Sequence, residues 1–183
     1  MQLRVISSMT IWRTMHLCML AGTGLIVVGI WTRLTGAPAS DPVGGAVTAA
    51  LVIITVGIAF DALNTTFMAG SAWRMASAFA AGDNTMPARF EVMHPVGLMA
   101  ARFGNFLIAL GAIVLGAAEW MSVGRPRWLA VLAWGAAAGG LVGAVFFDEA
   151  RPEMLGAVAL LSGWQAGAAL LALVNTRRRR TAS

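Results

Sequence analysis

The chain has 183 residues, 58% of them hydrophobic and only 11% charged, with a net charge of +5 carried by 13 arginines and no lysine. Soluble domains carry about 25% charged residues, so a mean hydropathy of +0.76 leaves little room for a soluble domain and marks an integral membrane protein. A single cysteine, Cys18, excludes an internal disulfide and any multi-cysteine metal site, and its apolar surroundings read as packing.

A membrane-spanning helix needs about 20 mostly apolar residues. The first stretch of that kind covers residues 15–31, after an arm that holds Arg4 and Arg13. Ala37-Pro38-Ala39 downstream resembles a signal-peptidase site, which would remove residues 1–39 and leave four spans. The long polar arm and the Trp31-Thr32-Arg33 end of the apolar run favour a retained first span instead. The second span is predicted over residues 45–65 and contains Asp61 and Asn64 near its end. Residues 67–81 follow, with Phe67, Met68, Trp73, Met75 and Phe79 as an incomplete apolar stripe opposite Ser71, Arg74 and Ser77. This pattern predicts an amphipathic helix lying on the membrane surface, stopped by Gly82-Asp83-Asn84. The alternative is a second helix that runs on past the bilayer.

The third span is predicted over residues 96–118, with His94 just ahead of Pro95, at the membrane boundary or in the loop. The fourth covers 128–147 and the fifth 154–174, joined by the acidic turn Asp148-Glu149-Ala150-Arg151-Pro152-Glu153. That turn reads as solvated, with Pro152 and Glu153 suited to the start of the next helix. Residues 175–183 form a tail containing Arg177, Arg178, Arg179 and Arg180. None of these runs shows strand-like alternation, and the bilayer admits only structures that satisfy their own backbone. The fold class is therefore all-α: one transmembrane helical domain over residues 1–183, a bundle of about five spans with one interfacial amphipathic helix.

Alternating spans divide the loops between two faces. Side A, which carries the N-terminus and the long loop, holds Arg4, Arg13, Arg74, Arg89, Arg102 and Arg151. Side B holds Arg33, Arg125, Arg127 and the four tail arginines. Seven arginines against six, with four of the seven directly beside a span, predict side B in the cytoplasm and the N-terminus outside, in a bacterial-type cell membrane. Trp31, Trp120 and Trp128 on side B read as an aromatic belt in contact with membrane lipids.

The same topology gathers Asp61, Asn64, His94, Arg102 and Asn105 near side A, and these five are the candidate ligand-binding residues. Arg102 stands within an apolar helix, where a charge must pair, snorkel or line a wet cavity. Asp61 is its expected partner, and Asn105 shares its helix face. A pocket lined by the five and roofed by residues 67–81 would receive an anionic or carbonyl-bearing group. His16 and His94, on different helices but one face, raise the alternative of a bis-histidine haem b, or of a quinone near Arg102. Ligand histidines in such proteins lie inside helices, and the sequence puts His94 at a boundary, which counts against haem.

No metal-ligand spacing, nucleophile elbow, P-loop or dinucleotide fingerprint is present, so no catalytic residue and no metal site is assigned. Gly135, Gly139 and Gly143, and likewise Gly163 and Gly167, recur at four-residue spacing. Such faces let helices approach closely, first of all within one chain, and alternatively with a second copy or other membrane subunits. Gln165, in mid-helix, needs a hydrogen-bonding neighbour. Nucleic-acid binding does not fit an arginine tail that abuts a membrane. The chain therefore reads as a non-enzymatic multi-pass membrane protein, a lipid- or small-ligand-binding bundle or an accessory subunit of a larger complex, with a haem- or quinone-binding oxidoreductase subunit as the alternative.

Overall fold

The computed structural model describes residues 2–35, 42–123 and 125–146, together with positions 160, 163, 166, 167 and 170 of the C-terminal stretch. Among the described residues every regular element is helical: α1 (Gln2–Ser8), α2 (Trp12–Thr35), α3 (Pro42–Phe67), a π-helical turn (Met68–Ala72), α4 (Trp73–Ala80), α5 (Met86–Met121) and α6 (Trp128–Phe146). Among the described residues three helices are long and apolar enough to cross a membrane: Trp12–Trp31, Val43–Ala80 and Met86–Met121. Trp128–Val142 is a shorter apolar helix, and the predicted fifth span falls mostly outside the described residues.

The α3–π–α4 unit is continuous, because the residues flanking the π turn, Phe67 and Trp73, are both in the right-handed helical region. At 1.5 Å per residue its 38 residues extend about 57 Å, against a hydrocarbon thickness of about 30 Å. The amphipathic segment expected over residues 67–81 is therefore present as α4, but as the extension of α3 rather than as a separate helix. The third span is longer than expected for the same reason. Its helix starts at Met86, not at residue 96, and Pro95 lies within it. His94 is consequently inside α5 and buried, not in a loop.

The surplus length is used at side A. There α1, α4 and the start of α5 enclose a second small core of Leu3, Ile6, Ala72, Ala76, Met86 and Phe90, distinct from the core between the spans. A sharp turn closes this cap. Gly82, at φ +102°, takes the left-handed conformation that a side chain disfavours, and its amide donates to the Phe79 carbonyl at 3.0 Å. Asp83 then accepts from the Thr85 hydroxyl at 2.7 Å and the Thr85 amide at 2.9 Å, and these bonds hold its carboxyl below the ordinary range.

The main core lies where α3 crosses α5 and α6. Leu51, Ile54 and Ile58 meet Ile108, Ala112 and Leu115, with Leu129, Ala133 and Ala136 of α6 and Ile30 of α2 closing the sides. Glycines set the closeness: a Cβ on Gly57 would stand 2.6 Å from the Gly104 carbonyl oxygen, and one on Gly104 would stand 2.5 Å from the Gly57 carbonyl oxygen. Outward residues are apolar and bare. Leu25 is 74% exposed, Val96 70% and Met99 62%, as expected of side chains whose solvent is lipid. The C-terminal stretch runs antiparallel on α6 at its described positions, where Gly135 faces Leu160 and Gly163 faces Leu132. Gly135, Gly163 and Gly167 thus pack within the chain, and Gly140 meets α5 at Asn105 and Ala109.

Candidate functional site

The seam between α3 and α5 brings some of the expected residues together and parts others. Its antiparallel register seats Asn64 directly on Gly97, where an added Cβ would lie 2.6 Å from the Asn64 Oδ1. His94, one turn above Gly97 on the same face, is buried and stacks on Phe90 with ring centres 4.6 Å apart and planes at 19°. Phe67 of α3 flanks the same imidazole at 6.4 Å. Asp61 lies one turn below Asn64, close to Gly104, and its carbonyl accepts from the Thr65 hydroxyl at 3.4 Å. Asn105 is 1% exposed, and its carbonyl oxygen lies against Gly140 of α6.

Arg102 does not join this group. No ion pair links it to Asp61 among the described residues, and the reason is rotational phase. Gly104 faces α3, and two residues along a helix amount to about 200° of rotation. Arg102 is thereby turned away from the side of α5 on which Gly104 meets α3. The sequence placed Asp61 and Arg102 at similar depth, but it did not show which side of α5 meets α3.

Among the described residues, the buried Asn64 Oδ1 and Asn105 Nδ2 lack a hydrogen-bond partner. Both side chains are more than nine-tenths buried. Such orphans cost roughly 1–3 kcal/mol each when nothing else satisfies them.

The second histidine completes a layer around the π turn. On α2 the His16 Nδ1–H donates to the Trp12 carbonyl at 2.9 Å, and the His16 ring packs against the Trp12 indole at 4.5 Å. The bond from Nδ1 leaves Nε2 as the nitrogen able to accept or ligate. Trp12 in turn donates its indole N–H to the Met68 carbonyl, the first residue of the π turn, at 3.2 Å. Widened turns of this kind interrupt the regular ladder and recur at functional sites. The consecutive residues Phe67 and Met68 therefore touch both histidine layers. Arg13 covers the Trp73 ring at 4.9 Å just above, an arginine and tryptophan pair that suits the membrane boundary. The sequence offered no signal for this arrangement beyond the two histidines, because the π turn that organises it leaves no motif. Trp12→Phe keeps the ring and removes the indole donor. It should lower stability by about 1 kcal/mol, read as a shifted detergent-denaturation midpoint, and a neutral result would mean that the Met68 carbonyl is satisfied without Trp12.

One cleft among the described residues lies away from the five candidate residues. It has a volume of about 300 Å³ and lies in the cap between α1, α4 and α5, with Gln2, Arg4 and Glu91 at its rim and Leu3, Phe79, Pro87 and Phe90 as its floor. None of Asp61, Asn64, His94, Arg102 and Asn105 lines it. No group of three or more His, Cys, Asp or Glu positioned for a metal occurs among the described residues.

Side B holds a buried ion pair that no sequence motif announces. Glu119, 1% exposed, accepts from both the Nε and the Nη2 of Arg125, six residues on across the α5–α6 turn. Beside it Arg127 lies over Trp120 at 4.6 Å, and Trp120 packs on Trp134 at 5.6 Å.

No protein-family model, curated protein or solved structure matches the chain.

Proposed function

We propose that the protein is a non-enzymatic multi-pass membrane protein that binds a lipid or a small ligand along the α3–α5 seam at side A. The supporting observation is the pair of orphaned amide atoms, Asn64 Oδ1 and Asn105 Nδ2, inside a mostly apolar bundle. Buried polar groups in native proteins are nearly always satisfied, and an unsatisfied acceptor on α3 and an unsatisfied donor on α5 call for water or a ligand polar group. Asn64 also adjoins the Phe90–His94 stack, which supplies a flat apolar wall. Native mass spectrometry of the protein released from nanodiscs, with extraction of the bound species, tests this reading. A co-purifying molecule lost in Asn64→Leu and Asn105→Leu variants that remain folded supports it. Wild-type protein free of any bound species, and variants of raised stability, would mean that the amides serve nothing and would leave the accessory-subunit reading.

One observation favours the haem alternative. His16 and His94 are both within helices and both buried; His94 lies beside Phe67, and His16 packs on Trp12, which bonds the Met68 carbonyl. A haem b held between them would give the purified protein a Soret band, and the band would vanish in a His16→Ala/His94→Ala double variant. A colourless, folded preparation from haem-replete cells removes this reading.

The N-terminus is proposed to lie outside and the C-terminus in the cytoplasm. A fluorescent reporter fused after Ser183 should then be bright and a phosphatase at that position inactive. The opposite pair of results inverts the assignment.

A further inference from the structure

The cap cleft has the chemistry of a receptor site for a small zwitterion. Its rim carries one cation, Arg4, and one anion, Glu91, and its floor is apolar and aromatic: Phe79, Phe90 and Pro87. Both charged side chains are exposed, and neither forms an ion pair with the other or with any described residue. Opposite charges that share one cleft without closing on each other leave a gap that a ligand bearing both signs can bridge. The walls are built to stay in place. Leu3 and Phe90 belong to the buried core of the cap, and Phe79 packs against that core. A volume of about 300 Å³ is at the small end of the range for small-molecule sites, roughly 300–1,000 Å³.

The position of the cleft decides between a free molecule and a lipid. Trp12, bonded to Met68, and Arg13 on Trp73 mark the membrane boundary on this side. Phe79 is eleven residues beyond Met68, roughly 16 Å farther along the helix, so the cleft faces the aqueous phase, above the headgroups of an adjacent leaflet.

We propose that this cleft binds a free apolar α-amino acid: its carboxylate on the Arg4 guanidinium, its ammonium on the Glu91 carboxylate, and its side chain against Phe79 and Phe90. The site is separate from the α3–α5 seam and does not depend on any ligand there. Arginine is suited to the role because its planar fork meets a carboxylate with two parallel hydrogen bonds.

The test is calorimetric titration of the full-length protein in nanodiscs with L-leucine and L-phenylalanine. N-acetyl-leucine amide, which has the side chain and neither charge, is the control. Saturable binding of the free amino acids and none of the control is expected. Arg4→Gln and Glu91→Gln should each weaken binding about tenfold or more, the loss of one charge-assisted bond. The swapped variant R4E/E91R should regain part of it, since the ligand can reverse its direction. Both positions are exposed, so unchanged melting temperatures will show that the variants fold. Absence of saturable binding by wild type, equal affinity in the single variants, or binding of the uncharged control would each overturn the proposal. So would a response only to phosphatidylethanolamine added to the nanodisc, which would make the site a headgroup contact.

Discussion

Gly104→Val should separate α3 from α5 and lower the stability of the bundle by about 3 kcal/mol or more, the upper part of the range for overpacking a close-packed interior. The first atom of the new side chain already meets backbone. A Cβ on Gly104 would stand 2.5 Å from the Gly57 carbonyl oxygen, 2.8 Å from the Asp61 amide nitrogen and 3.2 Å from the Phe60 Cβ. None of these can rotate away, so the two helices must move apart as rigid bodies. The movement then opens the neighbouring contacts of the same seam, where Gly111 meets Ala50 and Ile54 and Gly97 meets Asn64. Helix association in lipid draws on close backbone approach rather than on a hydrophobic driving force, so lost contact is not recovered elsewhere. Alanine at 104 should already cost about 2 kcal/mol on the same grounds. The control reverses the sign. Gly22 and Gly24 have no heavy atom within 4 Å of an added Cβ, and alanine in a helix is favoured over glycine by about 0.5–1 kcal/mol. Gly22→Ala should therefore be neutral or stabilising in the same detergent-denaturation series. Equal losses at 104 and 22 would mean that helix propensity, not the α3–α5 approach, governs the effect.

The spans could be read from the sequence because hydrocarbon imposes length and composition so strictly. The cap could not, and the residues show why. Hydropathy reports where lipid is, and it fades at Asn64 and resumes at Val96. The backbone does not fade with it: residues 67–80 and 86–95 stay helical because Leu3 and Ile6 of α1 cover Ala72, Ala76 and Phe90. That is a tertiary cause, invisible in a window of 20 residues. His94 illustrates a second limit. A residue before proline is disfavoured in the helical region, so the sequence put it at a boundary, but its stack on Phe90 holds it within α5. For the candidate site, depth could be read and azimuth could not. Asn64 sits on Gly97, one turn from His94, whereas no ion pair joins Asp61 to Arg102 among the described residues. The phase of α5 is fixed at Gly57 and Gly104, two of 21 glycines that nothing in the sequence singles out.

Arg125→Ala should be among the most damaging single substitutions at side B, with an expected loss of about 3 kcal/mol, the low end for breaking a buried ion pair. The two partners are unequally placed, and this makes the effect directional. Glu119 is 1% exposed and Arg125 25% exposed, so the carboxylate cannot turn to water when its fork partner is removed, whereas the guanidinium can. Glu119→Ala should therefore cost less, about 1–2 kcal/mol, mostly for the lost hydrogen bonds. Arg125→Lys should fail to restore stability fully, because a single ammonium cannot reproduce the two bonds from Nε and Nη2. The double replacement E119L/R125M removes both charges and keeps apolar volume at the head of the α5–α6 turn. It should lie closer to wild type than Arg125→Ala alone, since a well-packed apolar pair often matches or exceeds a buried ion pair. A double-mutant cycle on Glu119→Ala and Arg125→Ala should then show a coupling of about 1–3 kcal/mol. Additive losses would mean that each side chain is held by other neighbours and that the turn between α5 and α6 owes its geometry to the adjacent Arg127–Trp120–Trp134 stack instead.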